Sequence, residues 1–175
     1  MQITDIGIDK SGKETTRHGS FAFPLAVYSS VLSRNVLGFT NWHWHEELQF
    51  CRVTTGSVRF FVNENQYLLN TGDGIFINGG YLHMAKPESR PDSAYVCLDA
   101  NPRLLGGIPG SVFEEKYVAP FLKDQSLANM PLAADVPWQQ EVLNGVMEIY
   151  ALCEEQRFGY EFSVCSILSS VWLRL

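Results

Sequence analysis

The segment WHWHEELQ, residues 42–49, concentrates imidazole, carboxylate and amide groups in one short stretch of the chain. If the stretch is a β-strand, alternation puts one set of polar side chains on a single face: His43, His45, Glu47 and Gln49. Burying such groups without partners costs about 1–3 kcal/mol each, so a metal, a polar ligand or ordered water is needed to satisfy them. The segment therefore predicts a polar site inside a β-structure.

The spacing of the surrounding glycines and histidines is more specific than the alternation. Residues 38–56 follow the spacing G-x4-H-x-H-x3-Q-x6-G, and residues 72–83 follow the spacing G-x5-N-x-G-x2-H. The defined positions are Gly38, His43, His45, Gln49, Gly56, Gly72, Asn78, Gly80 and His83. This spacing resembles the two motifs of the cupin superfamily, in which a small double-sheet barrel surrounds a central site.

The resemblance implies metal ligands at His43, His45, the Gln49 position and His83. A divalent metal (Zn, Ni, Fe or Mn) is therefore an open expectation, and no cofactor is certain. Gln49 stands where the family usually has a carboxylate, and a neutral amide is a weaker donor to a divalent cation. Asn78 replaces the usual proline of the second motif.

Before residue 100, short segments rich in β-branched and aromatic residues are separated by turn residues, which predicts strands. The predicted strands are 21–31, 42–54, 57–64, 66–70, 74–78 and 93–100. Turns are expected at residues 63–65 and 71–74. Together with the two motifs, this pattern predicts a mainly β fold, a cupin double-stranded β-helix or jelly-roll barrel.

After residue 100 the pattern becomes helical. NPRLLGGIPG is interpreted as a loop, and a short helix that ends at Pro120 is expected next. Apolar spacings of three and four predict helices over 138–156 and 160–175, which would form an antiparallel hairpin. Because the last helix is apolar on more than one side, a homodimer contact is predicted at or near Ile167, Leu168, Val171 and Trp172.

The chain thus divides into an N-terminal arm (1–20), a cupin barrel (21–100), an irregular connection with a short helix (101–137) and a helical dimerisation hairpin (138–175). This order resembles the effector-binding and dimerisation region of AraC-type transcriptional regulators, without their helix-turn-helix DNA-binding modules. The resemblance implies a non-enzymatic, cytoplasmic sensor of a small metabolite such as a sugar. Because the sequence stops inside a helical pattern, it is expected to be part of a longer protein that contacts DNA through modules absent here.

The expected ligand-binding residues are His43, His45, Glu47, Gln49, Tyr81 and His83, with a flat surface from Trp42 or Trp44. His18 lies in the polar arm and is expected to be exposed and uninvolved. The arm itself is interpreted either as a mobile element or as a disordered terminus.

Two other functions remain open at this stage. The first is a small metal-dependent cupin enzyme, a dioxygenase or isomerase, that uses His43, His45, Gln49 and His83, with Glu47 as the candidate acid or base. The second is a carbohydrate-binding barrel with no regulatory partner.

Composition limits these functions. The net charge of −6 disfavours direct binding of nucleic acid by this segment, and its apolar stretches are shorter than a membrane span. The four cysteines lack CxxC spacing, which favours reduced thiols over a zinc site or disulfides; they are Cys51, Cys97, Cys153 and Cys165.

Overall fold

Nine strands form a barrel of two antiparallel sheets in the computed structural model, which describes residues 4–175. The strands are β1 (Leu25–Val31), β2 (Thr40–His43), β3 (Leu48–Thr55), β4 (Ser57–Val62), β5 (Asn65–Asn70), β6 (Gly74–Ile77), β7 (His83–Pro87), β8 (Ala94–Ala100) and β9 (Asn129–Leu132). The larger sheet has the order β1-β8-β3-β6-β9, and the smaller has the order β2-β7-β4-β5. The predicted cupin-type barrel is confirmed. Residues 1–3 of the predicted arm lie outside the described residues.

The predicted continuous strand over 42–54 is wrong, because the chain leaves one sheet and enters the other within it. β2 ends at His43 and β3 begins at Leu48. In the crossing, Trp44 makes backbone hydrogen bonds to the N-terminal segment, and the carbonyl of His45 accepts from Gly80 at 2.7 Å. The backbone groups of the crossing are thus satisfied outside a regular strand ladder.

The larger sheet is buried on both faces, which makes two apolar cores. On β3, Leu48 and Phe50 face outward toward the helices, whereas Cys51 and Val53 face the barrel interior. The interior core is completed mainly by the following buried side chains: Tyr28, Leu32, Val58, Phe60, Val62, Leu69, Ile75, Ile77, Ala85, Tyr95 and Cys97. This apolar core fills one part of the barrel and leaves the polar residues together in another.

The connection after β8 contains more regular structure than the sequence predicts. It holds α1 (Arg103–Gly106), a π-helical segment (Phe113–Val118) and α2 (Ala119–Lys123). The loop assigned to NPRLLGGIPG therefore contains a helical turn. Pro120 lies in the first turn of α2, directly after Ala119, and does not end a helix. The first turn of a helix tolerates a residue without an N–H. β9 was also not predicted, and it pairs with β6 at the edge of the larger sheet.

The predicted helical hairpin is present as α3 (Pro137–Glu155) and α4 (Tyr160–Trp172). Gly159, with a φ of 82°, makes the tight connection between them. A Cβ at Gly145 would come within 2.6 Å of the side chain of Val171, so the missing side chain permits the close helix contact. No helix among residues 4–175 is long and apolar enough to cross a membrane.

Replacing Leu168 tests whether the buried stripe of α4 belongs to the core of a single chain. Leu168 is fully buried against the outer core, so Leu168→Ala is expected to lower the free energy of unfolding by about 2–5 kcal/mol. Urea unfolding measures this change. Phe162→Ala on the same helix is the control, since Phe162 is 87% exposed, and a change within about 0.5 kcal/mol is expected. Equal losses for both variants would contradict this packing.

Candidate functional site

Three buried histidines converge inside the barrel. His43 ends β2, His45 lies in the crossing, and His83 begins β7 beside His43. The Nδ1 atom of each ring faces a backbone carbonyl two residues away: that of Asn41 for His43 (2.7 Å), Glu47 for His45 (3.1 Å) and Tyr81 for His83 (2.8 Å). A carbonyl only accepts, so each Nδ1 carries the proton and each Nε2 keeps its lone pair.

This arrangement suits a divalent cation. The ligating atoms of the three histidines lie within 4.8 Å of one another, and Nε2 of His83 is buried without a hydrogen-bond partner among the described residues. Burial lowers the pKa of all three rings, that of His83 most strongly, which keeps them neutral. Neutral imidazoles whose other ring nitrogen donates to a backbone carbonyl are typical metal ligands. The structure therefore brings together three of the four predicted ligands in a fitting geometry.

The side chain of Gln49, the fourth predicted ligand, points its amide nitrogen at Asp99. Its amide nitrogen donates to Oδ1 of Asp99 at 3.0 Å and lies 3.4 Å from Nε2 of His45. In this orientation the side chain offers an N–H group, which cannot ligate a metal. Asp99 sits on β8 directly across from Gln49 and is buried, and its burial raises the pKa of its carboxyl group. Gln49 therefore lies at the site as a hydrogen-bond donor to Asp99.

The prediction that His18 is exposed and uninvolved is wrong. His18 is only 6% exposed and Glu14 only 7%, because the segment before β1 folds against the open side of the barrel. Backbone hydrogen bonds from Glu14 to Trp44 and from Trp44 to Gly12 hold this segment in place. A salt bridge of 2.6 Å between Lys13 and Glu46 adds an exposed contact. The residues of the arm that the structure describes are thus part of the site.

Three charged groups from the arm and the barrel lie next to the histidines. Nε2 of His18 is 3.6 Å from Oε2 of Glu14, and its Nδ1 is 3.5 Å from Oδ2 of Asp99 and 3.0 Å from the Tyr28 hydroxyl. Burial opposes the charge on His18, but Glu14 and Asp99 outweigh it and raise the pKa of His18 to about 9. Burial also opposes the charge on Glu14, yet His18 leaves the pKa of Glu14 lowered. His18 is therefore a cation between two carboxyl groups.

A small cavity of about 50 Å³ adjoins this group. Its lining combines residues of the arm with residues of the barrel, and most of the polar ones come from the barrel. The full lining is Thr4, Asp5, Ile6, Glu14, His18, Tyr28, Ser30, Asn35, Val36, Leu37, Phe39, Thr40, Asn41, His43, Gln49, Tyr95, Cys97 and Asp99. Pockets for drug-sized ligands have volumes of about 300–1,000 Å³. The cavity is therefore too small for such a ligand while the arm is in this position.

The other predicted ligand-binding residues lie at the edge of the site. Oε2 of Glu47 is 3.7 Å from Nδ1 of His45, and the side chain of Glu47 is 18% exposed. Tyr81 packs its half-buried ring against the interior core and orients His83 through its carbonyl. Trp44 packs near Gly12 and Lys13 of the arm, while Trp42 faces outward beside Phe61. None of these four lines the cavity.

Most of the predicted dimer residues are used within the chain. Leu168, Val171 and Trp172 are buried in the outer core, and Ile167 is only partly exposed beside them. Trp172 also donates to the carbonyl of Tyr117 at 2.7 Å. The exposed large apolar side chains here are Phe162 on α4 and Leu173 directly after it. The homodimer stays a prediction.

Sequence reasoning missed Glu14, His18 and Asp99. The burial of Asp99 could have been predicted from the sequence. It is the one charged residue in the apolar strand AYVCLDA, and alternation puts it on the same inward face as Tyr95 and Cys97. No such pattern marks Glu14 and His18, because their burial depends on where the arm docks and not on a local period.

The barrel, the buried polar site and the helical hairpin define a cupin-type ligand-binding domain, and comparisons with known proteins agree. The uncharacterized HTH-type transcriptional regulator YdeC of Bacillus subtilis (strain 168) is 32% identical over 168 residues, which is 96% of this chain. The chain spans 57% of the length of that relative. The family model for AraC-like ligand binding domains matches residues 34–161. The chain belongs to this family.

Solved structures of similar fold are more distant. The match to apo ToxT from Vibrio cholerae has a TM-score of 0.49 and 10% identity, and it covers 88% of this chain and 55% of that one. The match to a cupin-2 domain protein from Shewanella frigidimarina has a TM-score of 0.36 and 13% identity, and it covers 47% and 74% of the two chains. These scores are too low to carry an argument about function.

The raised pKa of His18 predicts a pH dependence of stability. Its pKa is about 9 in the folded protein, against an ordinary value near 6.5 in the unfolded chain. The stabilisation, on the order of 1–3 kcal/mol, is thus fully present below pH 6.5 and is lost as the pH rises through about 9. Unfolding of metal-free protein between pH 6 and 9 measures it. His18→Gln, which cannot be charged, is expected to lack this loss, and an equal decline in both proteins would contradict the assignment.

Proposed function

We propose that the chain is the effector-sensing domain of a cytoplasmic AraC-type transcriptional regulator and that its effector is a small polar metabolite bound in the barrel. The parent protein would bind DNA through other modules and act as a homodimer. The domain itself is proposed to be non-catalytic. The observation that supports this proposal most is the buried polar group at one end of the barrel, with the arm packed over it.

The cavity explains how such an effector would act. It has a volume of only about 50 Å³ while residues 4–6 line it, so a sugar-sized molecule would enter only if this segment moved. An effector can shift a conformational equilibrium only by binding the two arrangements with different affinity. Binding in the barrel would therefore favour a displaced or repacked arm, and this difference is the signal passed to the rest of the protein.

The three histidines would hold a divalent cation in this site, and a bound cation would offer a Lewis-acidic position to an oxygen-bearing effector. His43, His45 and His83 each contribute Nε2, as their Nδ1 contacts indicate. Gln49 and Asp99 would contact the effector from the opposite sheet.

A thermal-shift screen of sugars and small carboxylic acids tests the proposal on metal-free protein. A ligand at 100 times its Kd stabilises the folded state by about 2.7 kcal/mol, or roughly 5–11 °C in Tm for a domain of this size. Ser30→Val partly fills the cavity from β1, because Ser30 is buried and lines it, and it is expected to abolish the shift. Ser33→Val is the matched control at an exposed position. A shift that survives Ser30→Val would place the ligand elsewhere.

The alternative is a small metal-dependent cupin enzyme, which the converging histidines favour. Such an enzyme also needs an acid or base at the reacting atoms. Glu47, the residue nominated for that role, lies at the edge of the site and outside the cavity lining.

Metal analysis of protein purified without a histidine tag separates these functions. The sensor does not require a metal in every molecule, whereas the enzyme does. We expect the metal-free protein to show a ligand-induced thermal shift of its own, because the polar groups of the barrel would contact the effector without the cation. A ligand that binds only to loaded protein and is converted to a product would favour the enzyme.

A further inference from the structure

The carboxylate that the first motif lacks at Gln49 has a replacement in the arm. We propose that Glu14 is a ligand of the divalent cation held by His43, His45 and His83, so that cation binding fixes the arm on the barrel. This inference deepens the sensing function and rests on the three-histidine site proposed there.

Charge is the first reason for a carboxylate ligand. A histidine ligates a metal through its neutral ring, so the three histidines alone would leave both positive charges of a buried cation without compensation. An uncompensated buried charge is costly. Gln49 cannot supply a negative charge, and its amide nitrogen faces the site. An acidic side chain at the site would make up part of the difference.

The position of Glu14 is the second reason. Its Oε2 atom lies 3.5 Å from Nε2 of His43, the ring atom that is free to ligate. Its Oε1 atom is buried and has no hydrogen-bond partner among residues 4–175. A buried carboxylate oxygen without a donor costs free energy unless something cationic satisfies it. Nε2 of His83 is also unpartnered, and the ring centroids of His83 and His43 are 4.1 Å apart.

Asp99 is the competing carboxylate, and its contacts argue against it. Its Oδ1 atom accepts from Gln49 at 3.0 Å, and its Oδ2 atom faces His18 at 3.5 Å. Glu14 also faces His18, through Oε2 at 3.6 Å. The difference is that Oε1 of Glu14 has no hydrogen-bond partner among residues 4–175, whereas both oxygens of Asp99 face a donor. Oδ1 is also farther from the histidines, at 3.8 Å from Nε2 of His45.

A ligand on the arm couples the cation to the position of the arm. Glu14 lies in the segment that pairs with Trp44 through backbone hydrogen bonds. A bond from the cation to Glu14 would add to these contacts and oppose release of the arm. By thermodynamic linkage, displacement of the arm would weaken cation binding by the same factor.

Titration of the tag-free full chain with Co²⁺, by competition against a fluorescent chelator and by visible absorption of the bound ion, tests this inference. Glu14→Gln is expected to weaken Co²⁺ binding by at least about 10-fold and to change the absorption bands. Loss of a group that only orients a ligand already weakens metal binding by about 10–100-fold, and loss of the ligand itself should cost no less. Asp99→Asn, the matched loss of the neighbouring carboxylate, is expected to have a smaller effect. Circular dichroism verifies that each variant is folded.

A rescue variant distinguishes two effects of Glu14, which are the negative charge it gives to the cation site and the attachment of the arm to that site. In Glu14→Gln with Gln49→Glu, the carboxylate returns to the barrel wall and Co²⁺ affinity is expected to recover. Trypsin cleavage after Lys10, Lys13 and Arg17 reports on the arm. Co²⁺ is expected to slow this cleavage in the original protein but not in the rescue variant.

Three results would overturn the inference. These are unchanged Co²⁺ affinity and spectrum in Glu14→Gln, a larger loss in Asp99→Asn, or no Co²⁺ binding by the original protein. None of them affects the thermal shift by an effector in metal-free protein, so the sensing function stands or falls separately.

Discussion

The structure depends on one constraint, which is that a group of ionisable side chains must be kept inside a barrel that excludes bulk water. Isolated charges of this kind are strongly disfavoured by burial. The chain meets the constraint in two ways. The three histidines stay neutral, with each ring held by a carbonyl two residues away. The charge of His18 is instead balanced by the carboxyl groups of Glu14 and Asp99, which lie within 3.6 Å of its ring nitrogens.

The rest of the fold supplies the rigidity that this polar group requires. The interior apolar core packs the two sheets against each other beside the polar group, and Val62 of this core pairs with His83. On the outside, α3 and α4 bury the second face of the larger sheet, which places β3 and β8 between two cores. Gln49 and Asp99 therefore project from the best-supported strands of the molecule, and a polar pair can be held there at 3.0 Å.

The sequence predicts the barrel and the histidine set because both depend on short-range patterns. Gly56 and Gly72 mark turns with positive φ, and the motif spacing brings His43 and His83 into register as neighbours on β2 and β7. The strand break after His43 escapes prediction because alternation cannot reveal a change of sheet. β9 escapes it because Pro131 and polar neighbours hide a short edge strand. Docking of the arm escapes it because no periodicity links Glu14 to residues far away in sequence.

The arm is the element whose position the site can control. Its described contacts with the barrel include backbone pairing at Trp44, the exposed salt bridge from Lys13, and the buried polar contacts of Glu14 and His18. An exposed salt bridge contributes little, so the buried contacts carry most of the specificity. They face the same cavity that an effector would enter. Any ligand that changes the charge or the space there must change the stability of the docked arm, because the two share the same atoms. In the proposed mechanism, the site that binds the effector and the segment that would move share these atoms, so no long pathway through the fold is needed to connect them.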